Sequence, residues 1–295
     1  MENTPRNIVL QVGSLLALYI STSFFITLVF GLINLMHPDP ADSYWNIESA
    51  ADSVRLGIAV LIVSLPTYLV LVRLVNKHRR EAQTPTYQHL TKWLIYLSLL
   101  VGGLVLLGTL ATTIYTFLNG EITTRFILKA ATIIGVVGLA FHYYLLDARG
   151  YWVENEQKSI MFGIGVGLLA FAAIAFGLQY IETPAAVREM KLDEQQVNDL
   201  RTIQWQIESY LATSSTSPAT LDEAYGNQGD MPQAPEGREA YSYEVTETGF
   251  KLCASFSRDY VNEFGSNYSD PALRIKNAEN WNYKAGRYCF ERTVR

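Results

Sequence analysis

Hydrophobic residues follow two different patterns along the chain, and the change between them comes near residue 182. Before it, apolar runs reach the length of roughly 20 residues that a helix needs to cross a lipid bilayer. The five runs are residues 8–36, 54–74, 93–118, 126–146 and 160–181. Backbone polar groups inside lipid must be satisfied within their own helix. The pattern therefore predicts an α-helical membrane bundle of five transmembrane helices over residues 1–181.

After a predicted linker at 182–190, the pattern becomes that of a small folded domain, residues 191–295. Apolar residues recur every three or four positions through "LDEQQVNDLRTIQWQIESYL", which predicts a long amphipathic helix. Alternation in "YSYEV" and in "FKLCASF", with "TETG" between them, predicts a hairpin. A third short strand is predicted in "RYCFERTVR". We expect an α+β domain in which the helix packs on a short antiparallel sheet.

Basic residues predict the direction in which the bundle crosses the membrane, because they stay on the cytoplasmic side. The stretch "RLVNKHRREAQTPTYQHLTKW" after the second run holds five Lys and Arg. The stretch "HPDPADSYWNIESAADS" after the first run holds four acids and no base. We therefore expect a cytoplasmic N-terminus. Five crossings then deliver the C-terminal domain to the extracytoplasmic side.

The chain has two cysteines, Cys253 and Cys289, and both lie in this C-terminal domain. Disulfides form and persist in an oxidising, extracytoplasmic compartment. Two isolated cysteines without CxxC spacing or a neighbouring His make a poor metal site, and two free thiols are the other alternative. We predict a disulfide worth roughly 4 kcal/mol by chain entropy. Strand alternation places Cys253 on the sheet face opposite to the apolar residues of "FKLCASF".

Two charged residues near the fourth run are candidate intramembrane polar residues. Lys129 lies inside the run, and an ionisable group inside a membrane is by default a functional candidate. The alternative is that Lys129, one turn beyond Arg125, extends its ammonium to the outer headgroups. Glu121, just outside the run, is placed to pair with Arg125 or Lys129.

The third candidate is His142, about one turn from the cytoplasmic end of the same run. A haem-binding bundle would need a second axial His at similar depth, and the other three His lie in predicted loops or at span ends. The alternative is an interfacial aromatic belt that His142 shares with Tyr143 and Tyr144.

Small and hydroxylated residues recur in two other runs. They are Thr109, Thr112, Thr113 and Thr116 in the third run, and Gly163, Gly165 and Gly167 in the fifth, where the outer pair has GxxxG spacing. Such residues let helix backbones approach closely in lipid. The two interpretations are close packing of one compact bundle and a Thr-lined path.

Composition and motifs narrow the classes of function. From residue 182 onward the chain has 12 Lys and Arg against 18 Asp and Glu, and no His, so we expect no nucleic-acid partner and no His-based metal site. The sequence contains no GxSxG, HExxH or GxxxxGK[ST] motif. We predict no enzymatic activity, no metal and no cofactor.

The central sequence resembles a family of uncharacterised bacterial integral membrane proteins, domain of unknown function 5671, over about residues 10–150. The most distinctive stretches are "TFLNGEITTRFILK" and "YYLLDAR". The resemblance implies a multi-pass protein of the bacterial cytoplasmic (inner) membrane, and it implies no activity. The stretch "DLRTIQWQIESYLATSSTSPATLDEA" is similar to the globular part of type IV pilins and pseudopilins. That likeness implies a pilin-like domain, here placed after a fifth span.

Two hypotheses for function follow. In the first, the bundle anchors an extracytoplasmic interaction domain, whose protein partner binds through residues 191–295 in envelope assembly or surface contact. In the second, the bundle is a transporter or channel with Lys129, Glu121 and His142 near the path. The lipid bilayer is a partner in both.

Overall fold

The computed structural model of the protein describes residues 4–38, 44–81, 85–120, 123–214, 216–226, 230–260 and 280–293. The chain forms two compact units, residues 1–181 and residues 182–295. The first contains five helices that are long and apolar enough to cross a membrane. The second contains a three-stranded antiparallel sheet. The predicted fold class is therefore confirmed.

Six helices make up the described part of the first unit. They are α1 (Thr4–Met36), α2 (Tyr44–Glu81), α3 (Pro85–Leu118), α4 (Thr124–Ala148), the short α5 (Tyr151–Glu154) and α6 (Glu156–Gly177). The membrane-length parts are Ile8–Met36, Ile47–Arg80, Lys92–Leu118, Thr124–Ala148 and Glu156–Gly177.

The largest difference from the predicted spans is in α2, whose predicted span was 54–74. The helix continues through basic residues that were predicted to start a loop, and His78, Arg79 and Arg80 form its last turn. Lys and Arg are good helix formers, and positive charge near a helix C-terminus interacts favourably with the helix dipole. The helix also begins at Tyr44, within the stretch 37–53 that was predicted as a loop, so the apolar run marks neither end of α2.

The first unit depends on the close approach of α1 and α2. A Cβ atom on Gly31 would lie 2.7 Å from Val54 Cγ2 and 2.8 Å from Ala50 O. A Cβ atom on Gly57 would lie 2.9 Å from Leu28 Cα. Helices in lipid associate through packing, because lipid tails are as apolar as leucine, and small residues permit that packing. Gly31 of α1 thus permits the close approach of α2, and Gly57 of α2 permits the close approach of α1.

Helix α6 closes onto the same region. A Cβ atom on Gly177 would lie 3.2 Å from both Ile58 Cδ1 and Leu28 Cδ1. The buried apolar cluster formed here consists of Leu28, Leu32, Val54, Ile58, Leu61 and Ala170. The three helices α1, α2 and α6 therefore share one core.

The glycines that the sequence highlights in span five do not form this contact. A Cβ atom on Gly165 or Gly167 would meet no described atom within 4 Å, and on Gly163 it would meet only Leu69 Cδ2, at 3.5 Å. GxxxG spacing shows which residues share a helix face, but not which face meets a neighbour. The close-packing glycines are instead Gly31, Gly57 and Gly177.

The second unit contains two helices and three strands in its described part. They are α7 (Pro184–Thr213), α8 (Leu221–Tyr225), β1 (Ser242–Thr246), β2 (Gly249–Phe256) and β3 (Gly286–Thr293). Helix α7 begins within the predicted linker, with Pro184 in its first turn and the Thr183 hydroxyl accepting a hydrogen bond from Ala186 N. Proline is favoured at that position because its missing N–H needs no helical partner.

One face of the sheet packs against α7, as the alternation predicts. The strand order is β1-β2-β3, with both pairs antiparallel. Phe250, Leu252, Ala254 and Phe256 of β2 share a core with Val197, Leu200, Ile203 and Ile207 of α7. A stacked pair of aromatic rings, Phe256 and Tyr283, extends this core, with centroids 3.9 Å apart.

The first residue of β2, directly after the hairpin loop, must be glycine. Thr246 pairs with Gly249, so Glu247 and Thr248 form a two-residue loop. A Cβ atom on Gly249 would lie 1.9 Å from the carbonyl oxygen of Arg292 in β3. Any side chain at position 249 would therefore collide with the backbone of β3, and only glycine fits.

We predict that Gly57→Ala destabilises the first unit. The added methyl group collides with the backbone of Leu28, and overpacking of this kind costs about 1–3 kcal/mol. At roughly 2–4 °C per kcal/mol, the apparent unfolding midpoint in detergent falls by several degrees. Gly167→Ala is the matched control, since it adds the same methyl group in open space. Equal midpoints for the two variants would contradict the role of Gly57.

Candidate functional site

A buried ion pair lies at the end of the bundle where α2 and α4 finish and α6 begins, which we call the polar end. Arg79 Nη1 donates to Asp147 Oδ1 at 2.7 Å, and the two side chains are 14% and 8% exposed. Breaking such a pair by removing one partner leaves an uncompensated buried charge. The neighbouring pair of Arg80 and Glu156, at 3.1 Å, is more exposed, at 24% and 55%.

Aromatic rings pack one turn before Asp147. Tyr143 stacks on Trp152 with centroids 4.9 Å apart, and Phe162 lies 5.2 Å from Tyr143. Trp152 Nε1 donates to the carbonyl oxygen of Tyr143 at 2.9 Å. These contacts fix α5 and the start of α6 against the end of α4.

The structure separates His142 from Tyr143 and Tyr144, while the interfacial position of His142 stays a prediction. Tyr143 and Tyr144 are buried inside the bundle, whereas His142 is exposed on the other side of α4. Successive helical residues point about 100° apart, so three consecutive side chains cannot share one surface.

Lys129 and Arg125 contact the end of α1. Lys129 Nζ lies 5.6 Å from the centroid of the Phe30 ring, a cation–π geometry. Arg125 donates through Nε to His37 O and through Nη2 to Asn34 O at 3.4 Å. The last carbonyls of a helix have no intrahelical donors, so Arg125 supplies donors to α1. Glu121, the predicted partner of both cations, lies outside the described residues.

The threonines of α3 use their hydroxyls within their own helix. Thr109, Thr112 and Thr113 donate to the carbonyl oxygens of Val105, Gly108 and Thr109, at 2.9, 2.8 and 2.7 Å. Such back-bonding satisfies a hydroxyl in lipid without a neighbouring helix.

A cavity of about 460 Å³ lies between helices of the bundle, and it is open on the side where Leu139 and Leu169 are exposed. Its walls are formed by residues between 18 and 29 of α1, 61 and 68 of α2, 131 and 144 of α4, and 162 and 170 of α6. The lining is mostly apolar, with the side chains of Tyr68, Tyr143 and Tyr144 among its polar members. None of the described lining residues carries a formal charge, and Lys129 and His142 are not among them.

In the second unit, Cys253 and Cys289 form a disulfide. The two residues face each other across β2 and β3, with Cα atoms 4.0 Å apart. Cys253 is buried and Cys289 is exposed. Cys253 does not join the apolar cluster that holds Leu252 and Ala254, as expected for the opposite face of the sheet.

The outer face of the sheet around the disulfide is polar. Lys251 Nζ lies 2.7 Å from Glu291 Oε1 in the next strand, and this ion pair raises the pKa of Lys251. On the other side of the disulfide, Arg287 Nη2 donates to Ser242 Oγ at 3.0 Å. The disulfide thus lies between cross-strand polar contacts rather than in the core.

A buried carboxylate ties α7 to the rest of the second unit. Asp193 accepts hydrogen bonds from Ser257 N at 3.1 Å, from Ser257 Oγ at 2.6 Å and from Arg238 Nη2 at 2.9 Å. Arg238 also donates to Glu189 at 2.6 Å. Asp193 is fully buried, so its donors offset the cost of removing the charge from water. This network positions α7 on the sheet.

A second polar contact at the α7–sheet interface involves Tyr241. Its hydroxyl donates to Asp199 Oδ2 at 2.6 Å. Burial, with the hydrogen bond to Asp199, raises the pKa of Tyr241. Among the described residues, no group of three or more His, Cys, Asp or Glu is placed to hold a metal ion.

Sequence reasoning missed the Arg79–Asp147 pair and the Asp193 network. Arg79 counted only as a cytoplasmic charge, because the helix was ended before it. A signal was present: Arg79 and Asp147 each lie a few residues beyond an apolar run, and both runs end on the same side. For Asp193 the signal was an acid beside the apolar stripe of an amphipathic helix.

The comparisons with known proteins cover part of the first unit. Residues 8–144 match the model of a family described as "Domain of unknown function (DUF5671)", which confirms the predicted resemblance. The match includes most of α1, all of α2 and α3, and most of α4, and it ends before Asp147. No curated protein and no solved structure matches the chain.

We predict that Arg79 and Asp147 are energetically coupled. Arg79→Met and Asp147→Asn each leave one partner without its counterpart, at a cost of about 3–5 kcal/mol. The double variant contains neither charge, so its unfolding free energy falls by less than the sum of the decreases in the two single variants. Thermal unfolding of the four proteins in one detergent measures the coupling. Arg80→Ala is the control, and removal of this exposed pair costs at most about 1 kcal/mol. Additive losses would contradict the coupling.

Proposed function

We propose that the protein is a non-enzymatic membrane protein whose five-helix unit anchors an extracytoplasmic interaction domain, residues 182–295. The observation that carries the proposal is the disulfide between Cys253 and Cys289 in a unit that follows five membrane-length helices. Disulfides are rare in a reducing cytosol and common outside it. The proposal assigns no reaction to the protein.

The distribution of charge supports an orientation with the polar end in the cytoplasm. Basic residues cluster at that end, on α2, α3 and α6 and just after α4; they are Arg73, Lys77, Arg79, Arg80, Lys92, Arg149 and Lys158. Positive charge near span ends stays inside. With α1 starting at this end, an odd number of crossings leads the chain to the extracytoplasmic side. We infer a bacterial cytoplasmic membrane from the predicted family resemblance.

An exposed tryptophan on α7 supports protein binding by the second unit. Trp205 is 67% exposed, while Ile203 and Ile207 on either side of it face the core. Tryptophan is enriched at the centres of protein interfaces. We infer that α7 presents Trp205 to a partner in envelope assembly or surface contact. The pilin-like character of this unit stays a prediction.

The transporter hypothesis gains no specific support from the first unit. A solute path would be expected to bring polar or charged groups to a cavity at bilayer depth. The cavity is instead mostly apolar, and Lys129 contacts Phe30 of α1.

We predict that a maleimide reagent unable to cross membranes labels the protein in intact spheroplasts only after reduction. The chain has no other cysteines, and Cys289 is exposed once the disulfide opens. The control is a Cys253→Ser/Cys289→Ser protein carrying Glu154→Cys at the polar end, which is labelled only after lysis. Labelling of the natural cysteines only after lysis would contradict the orientation. Labelling without reductant would contradict the disulfide.

We predict that a photo-cross-linking amino acid at position 205 gives one discrete protein adduct in intact cells. Position 244 is the matched control, since Glu244 is also exposed but lies on β1. The adduct is expected from position 205 and not from position 244, as judged by gel mobility and mass spectrometry. Absence of any adduct, or the same adducts from both positions, would argue against a partner on α7.

A further inference from the structure

The cavity of the first unit is elongated along the bundle. On α4 its lining extends from Ala131 to Tyr144, and on α1 from Leu18 to Val29. At 1.5 Å per helical residue these segments measure about 20 and 16 Å. The hydrocarbon part of one leaflet is about 15 Å thick, half of a typical bilayer core. The length of the cavity therefore suits a single extended hydrocarbon chain.

The cavity is reached from the side, between α4 and α6. Helix α4 packs mainly on α1 and α3, and α6 packs mainly on α1 and α2. Two lining residues on these helices, Leu139 and Leu169, are exposed at the surface of the bundle. On α4 the lining includes small residues, among them Ala131, Gly135 and Ala140. Ala131 and Gly135 are exposed as well, so this side of the cavity faces the region that lipid tails occupy.

The chemistry changes toward the polar end. There the lining includes Tyr143 and Tyr144, and Asp147 follows one turn later in its pair with Arg79. The six other basic residues of this end outnumber its three remaining described acids, Glu81, Glu154 and Glu156. Clustered Lys and Arg at a membrane surface attract anionic lipid headgroups. An apolar slot with a basic surface beyond one of its ends complements an amphiphile with a negative head.

We propose that the cavity binds one acyl chain of an anionic phospholipid, which enters between α4 and α6 and keeps its phosphate at the polar end. The described lining contains no charged side chain that could pair with a charged ligand group, so the part of the ligand inside the cavity is expected to be uncharged. Apolar contact alone does not favour the cavity over the bilayer, since both are hydrocarbon. Retention therefore depends on the fit of the chain together with attraction of the headgroup.

The test measures lipid retention by native mass spectrometry of the full-length protein after delipidation in detergent. Two probes are added in separate samples, dioleoyl phosphatidylglycerol and dioleoyl phosphatidylcholine, which share acyl chains and differ in charge. Gly135→Leu fills the cavity, because Gly135 lines it and a Cβ atom there meets nothing within 4 Å. Gly138→Leu is the control on the same helix, equally open but outside the lining.

We expect wild type and Gly138→Leu to retain about one phosphatidylglycerol per protein. Occupancy in Gly135→Leu falls by about tenfold, the equivalent of 1.4 kcal/mol. Wild type prefers phosphatidylglycerol to phosphatidylcholine by about fivefold or more, from roughly 1 kcal/mol for each basic residue near the headgroup. The thermal midpoint shows whether Gly135→Leu is folded. If it is not, Ala131→Leu takes its place as the filling variant, and we expect the same loss of occupancy from it.

Three results would overturn the proposal. One is lipid retention in a folded filling variant equal to that in the Gly138→Leu control. Another is equal retention of the two phospholipids by wild type. The third is complete loss of phosphatidylglycerol from wild type under mild delipidation.

Discussion

The first unit rests on one constraint, namely that two helices in lipid gain no hydrophobic free energy by meeting. Their contact must come from close packing, and α1 and α2 achieve it where Gly31 and Gly57 bring backbone against side chain. Leu28 is the centre of that contact, since Gly57 and Gly177 both pack on it. A pair of tightly packed helices, joined by α6, therefore provides the surface on which α4 can be held by more local contacts.

Helix α4 packs on α3 and α1, and charged residues add contacts near its two ends. At one end Arg125 donates to the last carbonyls of α1, and Lys129 lies over Phe30. At the other end Asp147 pairs with Arg79. Between these contacts α4 lines the cavity with small residues, among them the exposed Ala131 and Gly135, which leaves the cavity open between α4 and α6. The charged residues of α4 thus help to hold its two ends, and the small residues between them leave room for the cavity.

The sequence predicted what periodicity and length determine. Five apolar runs specified five helices, and alternation in β1 and β2 specified the hairpin and the face on which Cys253 lies. It did not predict which helix faces meet. GxxxG drew attention to Gly163 and Gly167, yet the close contacts involve Gly31 and Gly57, because spacing within one helix carries no information about its neighbour. The Arg79–Asp147 pair was missed for a related reason: 68 residues separate its members, and only the folded bundle brings them together.

The second unit solves a different problem, because its sheet has one covered face and one polar face. Helix α7 covers the apolar face and is positioned by the buried Asp193. The polar face has cross-strand contacts such as Lys251 with Glu291, and exposed ion pairs of this kind contribute little stability. The Cys253–Cys289 disulfide joins β2 to β3 on that face, so the two strands stay paired without an apolar cover. A unit fastened in this way can keep a polar face and an exposed Trp205 available for binding, since neither is needed to hold the sheet together.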